Sequence, residues 1–553
     1  MIVDAKPAAK QTLRDLTAIA LAVTFTFFFG LGNLALTGPD EPRYAEVARE
    51  MYASGNFVTT TLCGCLWFEK PVLLYWMAAA SYYLFGVGEF AARFPSALSA
   101  TAAVLAIYFV ARRTLSARAA VLAALVLATS GIFISYARAA VTDMVFAVAM
   151  TIALLAGYLA LNATSYRLYY WSICGAATGA AMLAKGLPSL VFVVVVIGLQ
   201  LFFTRNLKGV GWKAALVAGL AFIAVASLWY LPVTLKHGWR FIDEFFIQHH
   251  FRRYIADVFG HPQPVYFFPF VAIAGLLPWS FFLIPAVARA RRLKARASKE
   301  DSLLIFCWIW AVVPVVFFSL SESKLPGYVL LIFPALAVIL GREVSSLWEE
   351  VKARSVKVAA YLTAGLLLGL GVAFFIYMRR KLAGPEIFDA PIYVLPFAVA
   401  AITIAAIIKK RIHMLVPGAI SVVISIAAGS VMILFPSLND EVSLKTLSLR
   451  AYDELRPGER ITFFVKKEFA PVFYAKGRVV CGVGEGTVLN ALKEDILAEL
   501  LTTERSLIVI TVKNFEHGLR DDPRFALEYI GQQGTALAFR VSLKSEINAG
   551  SNF

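Results

Sequence analysis

Residues 142–162 read TDMVFAVAMTIALLAGYLALN, with one charge at Asp143 and none in the residues that follow. A helix of that length rises about 30 Å, the thickness of a bilayer's hydrocarbon core. Comparable apolar stretches recur on both sides of it. We read thirteen in all: 13–36, 92–111, 119–137, 142–162, 168–184, 187–204, 213–233, 265–287, 302–320, 325–341, 358–378, 389–408 and 414–435. Composition agrees, since 59% of the 553 residues are hydrophobic and only 16% are charged, with a mean hydropathy of +0.72. The expected fold class is mainly α: a polytopic membrane protein of about thirteen transmembrane helices.

Charge sets the orientation. Lys6, Lys10 and Arg14 precede the first span and hold the N-terminus in the cytoplasm. Every second connection is then basic: Arg112/Arg113/Arg118, Arg205/Lys208/Lys213, Arg289 to Lys299, Arg342 to Lys357, and Lys409/Lys410/Arg411. Arg379, Arg380 and Lys381 run against the pattern, and an odd span count puts the C-terminal tail outside. The net charge of +16 reads as these topogenic loops and their contact with anionic lipid, not as a nucleic-acid surface. The first span is too long for a signal peptide and has no small-residue cleavage site, so it reads as a retained helix. Cys63 and Cys65, one residue apart, make a poor disulfide and half a metal site at best. Asn162-Ala-Thr fits a glycosylation sequon but sits at a cytoplasmic span end.

Two outer loops are long. The first, 37–91, holds Asp40-Glu-Pro-Arg-Tyr-Ala-Glu-Val-Ala-Arg-Glu-Met, in which Tyr44, Val47, Ala48 and Met51 share one helical face. That spacing predicts a short amphipathic juxtamembrane helix on the membrane surface. Residues 71–85 form a second apolar segment, short for a crossing and better read as interfacial or re-entrant. The second loop, 234–264, is rich in His, Arg and aromatics. After residue 436 the composition becomes that of a soluble domain. Strand-like runs at Ile461–Val465, Val479–Val483, Leu507–Val512 and Ala536–Leu543 flank a helical segment at Val488–Leu501. The expected division is a membrane domain over 1–436, including both outer loops, and a small periplasmic α/β domain over 437–553.

Ionisable residues collect at span ends facing one compartment, where they are costly and line sites. Asp40-Glu41 follows the first span, and Glu69-Lys70-Pro71 sits among aromatics. Arg138 and Asp143, Lys185-Gly186, then His249, His250, Arg252 and Arg253, and finally Ser323-Lys324-Leu-Pro-Gly-Tyr328 mark later outer turns. Carboxylates, imidazoles and cations together suit an anionic substrate. No phosphate-binding Walker loop, H-E-x-x-H or G-x-S-x-G occurs, which removes support for a nucleotide-driven pump or a protease.

The run Asp40-Glu-Pro-Arg-Tyr-Ala-Glu-Val-Ala-Arg-Glu-Met, followed by Trp67-Phe-Glu-Lys-Pro-Val-Leu-Leu-Tyr-Trp, resembles the first periplasmic loop of the lipid A 4-amino-4-deoxy-L-arabinose transferases. These belong to the protein O-mannosyltransferase-like branch of the C-type glycosyltransferases. Met-Leu-Ala-Lys185-Gly, His250 with its Arg pair, Gly-Leu-Leu-Pro278-Trp279 and Ser-Lys324-Leu-Pro-Gly-Tyr328 match in order. Where the family has Tyr-Phe-Glu-Lys-Pro, this chain has Trp67, which puts a hydrogen bond from a Tyr hydroxyl in doubt.

The resemblance implies a glycosyltransferase that moves aminoarabinose from undecaprenyl phosphate to lipid A phosphates at the periplasmic face of the bacterial inner membrane. Such an activity confers resistance to polymyxin and other cationic antimicrobials. By the same resemblance Asp40, Asp143 and Glu41 are the catalytic candidates. Arg43, Tyr44, Lys70, Arg138, Lys185, Arg252, Arg253, Lys324 and Tyr328 are candidates for binding substrate and lipid phosphate. Glu69 and His250 would start a site for a divalent metal ion, Zn²⁺ among the candidates. The implied partners are the lipid-linked donor, lipid A and membrane lipids, with no nucleic acid and no required protein partner. Two other readings stay open: transfer of another polyprenyl-linked sugar to a protein hydroxyl or other envelope acceptor, and a flippase for the lipid-linked sugar. The flippase needs a matching residue set on the inner face and an inverted repeat, and neither is seen.

Overall fold

A computed structural model describes residues 5–205, 210–252, 263–294, 297–349, 353–381, 394–465, 469–480 and 490–544. The chain divides into two compact units, one of residues 1–31 and 94–434 and the other of residues 32–93 and 435–553. This partition differs from the one expected from composition, which left the first outer loop with the spans. Residues 32–93 join the C-terminal domain through contacts such as Lys445 with Glu89, the Tyr474 hydroxyl with the Leu36 N–H, and Phe469 with Arg43.

In the first unit's stretch of chain, helices stand at each of the thirteen expected segments. Among the described residues, seven helices are long and apolar enough to cross a membrane: Glu89–Ala111, Thr142–Asn162, Trp212–Gln248, Lys299–Ser319, Pro326–Trp348, Arg354–Arg380 and Ile412–Val442. Two bent pairs raise the number to nine, Ala117–Ala128 with Gly131–Ala137 at 62° and Phe267–Gly275 with Ser280–Ala290 at 114°. The protein is therefore a multi-span membrane protein. Thirteen crossings would also require Ala5–Val23, Arg167–Lys185, Pro188–Thr204 and Leu395–Ile408. The last two have 17 and 14 residues, so they rise only about 20–25 Å. Expected loop 234–264 begins as helix: Trp212–Ile242 breaks at Gly238, whose φ of 55° and ψ of −134° lie outside the helical region, and a π-helical stretch Asp243–Arg252 follows.

The helices Arg167–Lys185 and Trp212–Ile242 pack tightly, and small residues let them do so. A Cβ on Gly179 would lie 2.8 Å from the Phe222 carbonyl oxygen, so glycine there admits the helix Trp212–Ile242 at backbone distance.

The second unit begins with the helix Asp40–Ser54 and the short helix Leu73–Phe85. Between them lies a two-stranded hairpin, β1 (Thr61–Leu62) with β2 (Cys65–Leu66). The predicted stripe is present, but protein covers it, not the membrane surface: Tyr44, Val47, Ala48 and Met51 are all buried. Tyr44 meets Tyr75 with ring centroids 6.1 Å apart. The Tyr82 hydroxyl donates to the Ala45 carbonyl at 3.0 Å.

The rest of the unit is a five-stranded sheet in the order β4-β3-β5-β7-β6. Its strands are β3 (Ile461–Phe464), β4 (Asn490–Ala491), β5 (Leu507–Val512), β6 (Phe525–Gln533) and β7 (Ala536–Leu543). β3 runs parallel to β4 and β5, while β7 runs antiparallel to β5 and β6. β5 and β7 coincide with the predicted runs. β6 was not expected, because a bulge between Tyr529 and Gly531 interrupts its alternation. The helix Lys493–Thr503 buries Ile496 and Leu500 against Val509, Phe539 and Val541 of the sheet.

Candidate active site

The expected site residues form two constellations, one in each unit. In the first unit, Asp143 lies in the first turn of Thr142–Asn162 and Lys185 is the last residue of Arg167–Lys185. A carboxylate suits the positive end of a helix dipole and an ammonium the negative end. The antiparallel pair therefore brings two favourably placed opposite charges together, and Lys185 Nζ is ion paired with Asp143 Oδ1.

Lys185 also lies 4.7 Å from the centroid of the Tyr328 ring, a cation–π contact. Tyr328 is seated by Phe318, 5.1 Å away centroid to centroid. Gly327 makes this convergence sterically possible, since a Cβ there would lie 2.6 Å from Asp143 Oδ1 and 2.8 Å from the Tyr136 hydroxyl. Three sequence elements, at Asp143, Lys185 and Ser323–Tyr328, thus meet at one point. Lys324 is buried close by in sequence, and its ammonium donates to the Ser321 carbonyl at 2.5 Å.

Arg138 is held by backbone carbonyls of the first helix's end. Its guanidinium donates to the carbonyls of Phe29 at 3.0 Å and Gly30 at 3.1 Å. It satisfies carbonyls that the π-helical turn Thr24–Phe28 leaves at the end of the first helix. Arg253 lies outside the described residues, as do the side chains of His249, His250 and Arg252.

In the second unit, Gly38 at φ 63° turns the chain into the helix that Asp40 opens. Asp40 is 44% exposed and ion paired to Arg43 at 2.5 Å. Arg43 reaches Glu69 at 3.4 Å, and Glu69 reaches Lys70 at 3.1 Å. The charges form a chain Asp40–Arg43–Glu69–Lys70. The Arg43 guanidinium carbon lies 5.4 Å from the Trp67 ring centroid and 4.8 Å from that of Phe469. Trp67 supplies an aromatic face to Arg43. Burial pushes the Tyr44 and Tyr75 hydroxyls above their ordinary range, so both keep their protons at neutral pH.

Glu41 points the other way. It is buried, accepts from Arg93 Nη2 at 2.7 Å and Nε at 2.9 Å, and receives the Thr37 backbone N–H at 3.0 Å. Its carboxylate fixes the turn before Asp40 and faces Arg93.

Arg93 was not singled out from the sequence, although a cation in the apolar run entering Glu89–Ala111 is the signal for such a pair. Nothing in the sequence pointed to Phe469 or Tyr474. Among the described residues no group of three His, Cys, Asp or Glu side chains could hold a metal ion. Glu69, the described half of the expected pair, already lies between two cations, which disfavours a third.

Known proteins share both the sequence and the fold. The pattern of the dolichyl-phosphate-mannose-protein mannosyltransferases matches residues 69–230. An undecaprenyl phosphate-alpha-4-amino-4-deoxy-L-arabinose arabinosyl transferase of Pseudomonas aeruginosa is 32% identical over 386 residues, 68% of each chain. The chain belongs to that arabinosyl transferase family.

The Shewanella sediminis member is 30% identical over 68% of this chain and 69% of its own. The Edwardsiella ictaluri member is 32% identical over 64% of this chain, and the match spans 63% of that relative's length. The crystal structure of ArnT from Cupriavidus metallidurans bound to undecaprenyl phosphate superposes with a TM-score of 0.77. It covers 95% of this chain and 97% of its own at 22% identity. Its apo form gives 0.76 at 23% identity. Both share the fold of this chain.

Proposed function

We propose that this chain is a glycosyltransferase that moves 4-amino-4-deoxy-L-arabinose from undecaprenyl phosphate to phosphate groups of lipid A, at the periplasmic face of the bacterial inner membrane. The observation that carries the reading is the Asp40–Arg43–Glu69–Lys70 charge chain in a member of the arabinosyl transferase family. The positive-inside charge pattern supports the orientation.

In this reaction a lipid A phosphate oxygen attacks the anomeric carbon of the sugar. The bond from that carbon to the carrier's phosphate oxygen breaks, and undecaprenyl phosphate leaves with the electron pair. The acceptor is already anionic at neutral pH and needs no strong base. The protein's work is to hold the reactants in line and to stabilise charge on the departing phosphate. Lys70 and Arg43 supply the positive charge of the Asp40 constellation. Asp40, whose side chain is 44% exposed, would take the sugar's ammonium or orient the reacting groups. Direct displacement inverts the anomeric centre.

A divalent ion is carried as a separate proposal and no step is routed through it. The described residues fit it poorly, because Glu69 is engaged by Arg43 and Lys70. Elemental analysis of purified, active protein tests it: one tightly held ion that His250→Ala removes supports the site, and metal-free active protein removes it.

The function itself is tested by the mass of lipid A from cells with and without this protein. A pentosamine increment on a phosphate that depends on the protein supports the reading. An unchanged lipid A alongside a glycosylated protein would move the acceptor to a hydroxyl.

A further inference from the structure

The segment Phe469–Tyr474 belongs to the C-terminal sheet domain, yet two of its aromatic side chains touch the Asp40 motif. The Phe469 ring centroid lies 4.8 Å from the Arg43 guanidinium carbon. The Tyr474 hydroxyl accepts the Leu36 backbone N–H at 2.8 Å and donates to Glu89 at 3.0 Å. Lys445, from the same domain, closes on Glu89 at 2.5 Å.

These contacts bracket the residues that place Asp40. Leu36 begins the turn that Thr37, Gly38 and Pro39 complete. Arg43 holds Asp40 through one nitrogen at 2.5 Å and faces Glu69 through another at 3.4 Å. With carboxylates at its edge and the Trp67 and Phe469 rings within 5.4 Å of its carbon, the guanidinium has little freedom to turn. An Arg side chain left alone carries several soft torsions, and losing one aromatic neighbour would restore them.

We propose that Phe469 and Tyr474 are positioning residues for the reaction. Phe469 would fix the orientation of Arg43 and through it Asp40, and Tyr474 would fix the backbone that leads into Asp40. The C-terminal domain then becomes a working part of the site. This rests on the reading of the Asp40 motif as the active site.

The test uses the full-length protein in detergent or liposomes with undecaprenyl-phosphate-linked aminoarabinose and lipid A. Wild-type protein that transfers no sugar would sink the functional reading and not this inference alone, so wild-type activity is established first. The variants are Phe469→Leu, Phe469→Trp and Tyr474→Phe. Cation–π contacts imply a fall in kcat of roughly two- to thirty-fold for Phe469→Leu. KM for the donor should change little, melting temperature should stay near wild type, and Phe469→Trp should restore kcat. Equal losses in the Leu and Trp variants, or a Leu variant with wild-type kcat, would overturn the role of Phe469. If Phe469→Leu melts early, Tyr474→Phe decides, because it keeps the ring and removes only the hydroxyl's bonds. Lower kcat with unchanged KM supports positioning, and wild-type kcat in that variant overturns it.

Discussion

The carboxylate of Asp143, in the first turn of one helix, is ion paired with the ammonium of Lys185, the last residue of the helix that packs antiparallel to it. Neither side chain is more than 20% exposed. Each partner therefore depends on the other to offset its desolvation. Removing one leaves an uncompensated charge, and removing both together does not. Lys185→Met alone and Asp143→Asn alone should each lower the melting temperature in detergent. The double variant should melt above the less stable single, with transfer lost in all three. A double variant that melts at the sum of the two losses would show that the pair is not coupled.

Gly327 offers a sharper probe of the same point. A methyl group there would fall within 3 Å of Asp143 Oδ1 and the Tyr136 hydroxyl, so the turn or the carboxylate must shift. Gly327→Ala should cut transfer by at least about tenfold, since small displacements of reacting groups carry penalties of that order or more. Assay of the reconstituted variant against wild type measures this, and near-normal turnover would mean that Asp143 does not need its present position.

Asp40 and Glu41 are neighbours with opposite fates. Asp40 is 44% exposed on its side chain, whereas Glu41 is 7% exposed and paired with Arg93. Asp40→Asn should abolish transfer and leave thermal stability near wild type. Glu41→Gln should instead destabilise the protein by about 3 kcal/mol, the usual cost of breaking a buried ion pair from one side. Melting curves and transfer assays on both variants separate the two roles. Stable but inactive Glu41→Gln protein would return Glu41 to the chemistry.

Lys70 is only 17% exposed and is ion paired at 3.1 Å with its chain neighbour Glu69. Its ammonium remains suited to a phosphate. Hydrogen bonds to charged groups contribute about 1.5–3 kcal/mol, so Lys70→Ala should weaken undecaprenyl phosphate binding by roughly ten- to a hundred-fold. Lys70→Arg should recover part of the loss. Binding in detergent at fixed salt that is unchanged in Lys70→Ala would reduce Lys70 to an interfacial anchor.

The C-terminal domain carries a predictable acid response. Arg524 grips Asp522 through Nε at 2.9 Å and Nη2 at 2.8 Å. Those hydrogen bonds bring the Asp522 carboxyl down to about 2. A folded value depressed below the unfolded one contributes stability that is fully present above about pH 4 and is lost as pH falls through about 2. Asp522→Asn should lower the melting temperature at pH 7 and make the remaining acid dependence between pH 4 and 2 shallower. An identical acid profile in the variant would show that Asp522 does not carry the response.

Most of the helices could be read from the chain because hydrocarbon imposes a length and an apolar composition that no other setting demands. Thr142–Asn162 coincides with its predicted bounds for that reason. The Asp143–Lys185–Tyr328 convergence was legible as a set of polar residues at span ends, though not as a geometry. The roles of Glu41 and Arg138 were not legible, since a carboxylate or guanidinium in a motif looks the same whether it faces a substrate or a buried partner. Phe469 could not be found at all. A phenylalanine touching Arg43 across more than four hundred residues of chain leaves no local pattern.

The unit formed by residues 32–93 and 435–553 places an order on biogenesis. The Asp40 helix leaves the ribosome long before the partners of Leu36 and Arg43, Tyr474 and Phe469. Between them the cell must make residues 94–434, which at about 5–20 residues per second takes on the order of 20–70 s. During that interval the first outer segment waits without its aromatic partners. Its charged side chains settle into their final arrangement only after the segment that holds Phe469 and Tyr474 has been made. A chain cut short anywhere before Phe469 would still insert helices into the membrane but would never seat Arg43 against that ring.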